Sequence, residues 1–138
     1  MYSGDTTQIG EYRTDVPLAE AVTYVFNKES SVQKPAQTPV LVDQLRADFW
    51  PMEKDTPPTD LYLCNGTENP PMIARCVTPR RGWNNPAAAP RDHPISQALP
   101  GGIDVATVDG HAQYAPLEQL WQLYWHLKGV VPSKRPGT

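Results

Sequence analysis

Ten prolines fall between Pro51 and Pro100, and no other feature of this 138-residue chain restricts its fold as severely. Each proline fixes φ near −65° and removes a backbone donor, so neither a long helix nor a central strand can run through that stretch. One short strand is compatible with the spacing, at Ile73–Val77. So long an irregular stretch in a small domain is ordinarily functional or mobile. Phe49, Trp50, Tyr62 and Trp83 are expected to pin it to the body. Proline and glycine together make up about 18% of the chain (16 and 9 of 138), below the roughly 25% that marks low complexity. Four Trp, six Tyr and two Phe supply the large apolar areas that a disordered chain lacks. A single domain over residues 1–138, rich in rigid loops, is the expectation.

A formal net charge of −3 argues against a basic nucleic-acid or anionic-membrane binder. No apolar run approaches the roughly 18 residues of a membrane helix. Met1-Tyr2-Ser3-Gly4-Asp5 lacks the basic-then-apolar start of a secretory signal. A water-soluble chain is therefore expected. Cys64 and Cys76 are too few for a zinc site on their own. They read equally as two separate thiols or as one disulfide closing a proline-rich loop in an oxidising compartment.

Residues 1–20 are polar and weakly patterned. Ala21–Phe26 (Ala-Val-Thr-Tyr-Val-Phe) is β-branched and aromatic and reads as a strand. A helix over Leu18–Phe26 is the alternative, with Pro17 suited to its first turn. Lys34–Pro39 is a loop, and Val40-Leu41-Val42 has the continuous apolar character of a short buried strand. Ile103–Val108, Asp109-Gly110 and His111–Ala115 predict a β-hairpin closed by a two-residue type I′ turn. That register pairs Val108 with His111 and Ala106 with Gln113. It places Ile103, Val105, Thr107, Ala112 and Tyr114 on one buried face.

Pro116 then predicts a helix over 116–128, with Glu118 in its first turn, Lys128 in its last and Gly129 closing it. Leu117, Leu120, Trp121, Leu123, Tyr124, Trp125 and Leu127 share one broad apolar face, and His126 falls on the polar arc. The tail 131–138 is expected along the surface. The fold expected is α+β: a small antiparallel sheet whose C-terminal hairpin packs on a C-terminal helix, wrapped by long proline-rich loops. Leu117, Leu120, Trp121 and Tyr124 should meet Ile103, Val105 and Tyr114.

Catalytic signatures are missing. There is no Gly-x-Gly-x-x-Gly, P-loop, His-Glu-x-x-His or Gly-x-Ser-x-Gly, and Gly101-Gly102 reads as a flexible entry to the hairpin. His93, before Pro94, is expected in solvent. His111 with Asp104 or Asp109 outlines a His–Asp pair for a small hydrolase, but no nucleophile is signposted. Asp43, Asp48, Asp55 and Asp60 could offer the several oxygen ligands that calcium wants. Ordinary surface acid is the plainer reading, because EF-hand spacing is absent. Asn65-Gly66-Thr67 fits a glycosylation acceptor, a pattern common by chance. Trp121 and Trp125 belong to the apolar helix face, which leaves Trp50 and Trp83 for ligand stacking. No catalytic residue, cofactor or nucleic-acid partner is expected.

Several segments together resemble the bacterial pseudopilins with an H-x9-DG signature, which carry a prepilin-type cleavage and methylation segment. The most specific block is Leu99-Pro100-Gly101-Gly102-Ile103-Asp104-Val105, Val108-Asp109-Gly110-His111, and Pro116–His126 (Pro-Leu-Glu-Gln-Leu-Trp-Gln-Leu-Tyr-Trp-His), with the ending Pro132-Ser133-Lys134-Arg135-Pro136-Gly137. Pro35–Val40 followed by Asp43, and Asp55–Leu61, are also similar. The resemblance covers roughly residues 20–138. It departs from the pattern in two ways. Leu99 stands where the signature has histidine, and Arg80-Arg81-Gly82 stands where relatives often read Arg-His-Gly, so no role tied to that histidine is carried over. The leader and long apolar helix are also not in this sequence. The chain is expected to be the globular piece of a longer protein, with that helix removed.

The resemblance implies a non-enzymatic structural subunit of a pilus-like type II secretion fibre, facing the periplasm. Before assembly it would be anchored in the inner membrane only through the helix not present here. Its partners would be other pseudopilin subunits, with secretion cargo or outer-membrane components as further contacts. Some relatives bind calcium in a C-terminal loop, and those ligands do not map onto this sequence. Asp109, Gly110, Pro116, Leu120, Trp121 and Tyr124 take structural roles in this reading. The alternative is a carbohydrate- or protein-binding module that uses the proline-rich loops with Trp50 and Trp83.

Overall fold

The computed structural model describes residues 18–21, 23–43, 51–62 and 90–138. The Ile73–Val77 strand, Asp48, Trp50, Trp83, Cys64 and Cys76 lie outside the described residues. The architecture is a small three-stranded antiparallel sheet with a few short helical turns, α+β in character. Strand β1 is Pro39–Val42, β2 is Gly102–Thr107 and β3 is Ala112–Pro116, in the order β1-β2-β3. Pro39 opens β1, a position where its missing donor is tolerated. A bulge between Pro39 and Leu41 sets Leu41 opposite Ala106 and Val42 opposite Val105.

The hairpin forms, with a different turn and register. Thr107 N–H donates to the His111 carbonyl and Gly110 N–H to the Thr107 carbonyl, both at 2.9 Å. Those bonds enclose a three-residue loop, Val108–Gly110, and Gly110 takes φ of 92°, as the left-handed position of such a loop requires. Ile103 therefore faces Ala115, Asp104 faces Tyr114 and Ala106 faces Ala112. The pairing is one residue off the two-residue-turn register, which turns every β3 side chain to the other side. Ile103, Val105 and Thr107 are buried as expected, but their β3 companion is Ala115; Ala112 and Tyr114 point outward, with Tyr114 49% exposed.

The expected helix over 116–128 is a 3-10 helix confined to Leu117–Gln122. Pro116 is extended (φ −52°, ψ 140°) and precedes the helix instead of starting it, while Leu117 N–H continues the sheet ladder to the Gly101 carbonyl at 3.1 Å. Leu123 is extended again (φ −89°, ψ 149°). Beyond it, donors that a helix would satisfy internally go to distant segments. Tyr124 N–H reaches the Gln37 carbonyl (2.8 Å) and Leu127 N–H the Tyr24 carbonyl (2.7 Å). Gly129 closes a local turn, its N–H on the His126 carbonyl, so it does not end a long helix.

The Ala21–Phe26 segment is no strand among its described residues. A single helical turn, α1 (Leu18–Ala21), takes in its first residue. Thr23 closes that turn, its N–H and hydroxyl both donating to the Glu20 carbonyl. The core gathers Leu61, Leu99, Ile103, Val105, Ala115, Leu117, Leu120 and Trp121, with Val42, Tyr62, Leu123 and Trp125 packed against it. Leu117, Leu120 and Trp121 thus meet Ile103 and Val105, whereas Tyr114 sits on the opposite face of the sheet. Among the described residues no helix is long and apolar enough to cross a membrane.

Candidate functional site

Among the described residues, polar and ionisable side chains come together at the hairpin tip, at the tail clasp and around His126. At the tip, the Thr107 hydroxyl donates to Asp109 Oδ1 at 2.5 Å and lies 3.1 Å from the His111 carbonyl oxygen. His111 Nδ1 sits 2.9 Å from the same Asp109 oxygen. The Thr107 hydrogen bond, with a smaller contribution from His111, holds the Asp109 carboxyl below its ordinary pKa. The His–Asp pair seen in the sequence therefore exists, with Asp109 as its acid. The Thr107 hydroxyl donates to the carboxylate, and the histidine side chain is 51% exposed on a turn, where water is not excluded. Asp104 faces Tyr114 further along the strand.

The tail clasp is built around Arg135, which is buried (6% exposed) although the tail reads as surface. Its Nε donates to Glu118 Oε2, Nη1 to the Ile95 carbonyl and Nη2 to the Gln97 carbonyl, each at 2.8 Å. The guanidinium also lies 5.7 Å from the centre of the Trp121 ring. Glu118 uses its other oxygen to accept from Leu99 N–H at 2.6 Å. One ion pair thereby joins the tail, the 3-10 helix and the irregular segment leading into β2. The fixed fork of arginine suits such a site, where three acceptors surround one planar cation. Glu118 was legible only as a first-turn acid. Arg135 carried no local signal of burial, although it stands in the closing motif of the resemblance.

His126 is 2% exposed instead of on a polar arc. The chain has left the helix before reaching it, so helical phase no longer sets its direction. Its ring meets Tyr24 edge to face at 4.9 Å, and Nε2 lies 3.6 Å from Glu53 Oε1, which also accepts from Val130 N–H. Lys128 Nζ donates to the Thr23 hydroxyl and lies 5.3 Å from the centre of the Tyr24 ring. The Tyr24 hydroxyl donates to Glu20, a bond that raises the phenol above its ordinary pKa. Beside this cluster is a shallow depression of about 150 Å³, lined in part by Ser31, Lys34, Thr38 and Tyr124. His93, expected in solvent, is buried (9% exposed): its backbone N–H donates to Thr59, and Nε2 lies 3.4 Å from the Gln97 carbonyl.

Among the described residues, the proposed calcium acids Asp43, Asp55 and Asp60 do not gather into one site. Asp55 is buried and caps its own turn, Oδ2 accepting from Met52 N–H at 2.9 Å. Asp60 accepts from Tyr62 N–H. Asp43 follows β1, bonding to the Asp104 backbone. Among the described residues no group of three or more His, Cys, Asp or Glu is placed to hold a metal ion. The two described tryptophans on the C-terminal segment spend their indole N–H groups internally, Trp121 on the Asp55 carbonyl and Trp125 on the Leu120 carbonyl, both at 2.8 Å.

Comparison with known proteins adds no assignment: no family model, curated protein or solved structure matches this chain.

Proposed function

We propose that this chain is a non-enzymatic structural subunit of a pilus-like fibre of the type II secretion kind, a pseudopilin globular domain that faces outward and makes lateral contacts with neighbouring subunits. The observation that carries this reading is the collinear resemblance from Leu99 to Gly137. How those residues are used supports it. Leu99, Ile103, Val105, Leu117, Leu120 and Trp121 form the core, and Glu118 and Arg135 clasp the tail. Asp55 caps a backbone turn, and Asp109 is engaged by the Thr107 hydroxyl and the His111 ring at the hairpin tip. Such a body suits a building block better than a reaction vessel. Leu99 occupies the signature histidine position and is packed at 7% exposure, so in this chain that position contributes packing.

A photo-crosslinking amino acid at Leu41, which is 71% exposed on the outer side of the sheet, tests the proposal in native cells. Adducts to proteins bearing a prepilin-type segment are the expected result. Recovery of polysaccharide adducts alone would replace it with the carbohydrate-binding reading, which depends on Trp50 and Trp83 outside the described residues.

A further inference from the structure

We draw no further inference here: the strongest candidate, the outer face of the sheet where Leu41 and Tyr114 lie exposed beside Asp43 and Asp104, carries nothing because nothing in the structure shows what covers it.

Discussion

Arg135 ties Glu118, Ile95 and Gln97 together through one side chain. Arg135→Ala leaves two carbonyls and the Glu118 carboxylate without their cation. Breaking a buried pair by removing one partner costs about 3–5 kcal/mol, and partial exposure of Glu118, 37% of its side chain, places the expected loss near the lower end. Arg135→Lys should recover only part of it, since a point charge cannot serve three acceptors at once. Equal urea midpoints for Arg135→Ala and the parent would remove the clasp from the account. Glycine matters at Gly102, where Tyr114 lies over the backbone. An added Cβ would collide with the Ala115 carbonyl and sit 2.6 Å from Tyr114 Cζ. Gly102→Ala is therefore expected to destabilise by about 1–3 kcal/mol, the usual cost of overpacking, read as a lowered urea midpoint.

Asp109 sets a pH dependence at the same scale. Its carboxyl is held below the ordinary value of 3.8 by Thr107 and, less, by His111. A depressed folded-state pKa means that the folded chain binds the proton less readily than the unfolded one. The stabilisation is therefore complete above the unfolded value and is lost as pH falls through the folded one. Denaturation midpoints measured between about pH 5 and 2 should fall in the parent and flatten in Asp109→Asn. Parallel acid limbs would show that the tip does not contribute.

At the scale of elements, the hairpin was legible because Asp-Gly stands between two strand-like runs, a pattern whose physics is local. Its register was not. The three-residue loop carries the Thr107–Asp109–His111 contacts, which a count of alternating residues cannot see. The helix over 116–128 failed for a related reason. Its apolar spacing is genuine, but the backbone donors of Tyr124 and Leu127 are taken by Gln37 and Tyr24, about a hundred residues away in the latter case. His93, His126 and Arg135 went unrecognised as buried because their partners are also set by the tertiary fold. What survives of the helix should still anchor the body. Trp121→Ala is expected to cost about 3–5 kcal/mol. Trp121→Phe, which keeps most of the ring but loses the bond to the Asp55 carbonyl, should cost about 1 kcal/mol for the bond itself. A thermal melt of Trp121→Ala that overlaps the parent would contradict the packing described.

For the whole molecule, the sheet, the 3-10 helix and the tail behave in this account as one cooperative body, because the core and the Glu118–Arg135 clasp share the same segments. Its proposed task is to be repeated along a fibre. The most direct measurement is sedimentation of sheared fibres from native cells, with this chain detected by antibody in the presence and absence of the prepilin peptidase. The account predicts that the chain pellets with the fibres only when the peptidase is active. Identical distribution in both strains, with the chain wholly in the supernatant, would contradict it.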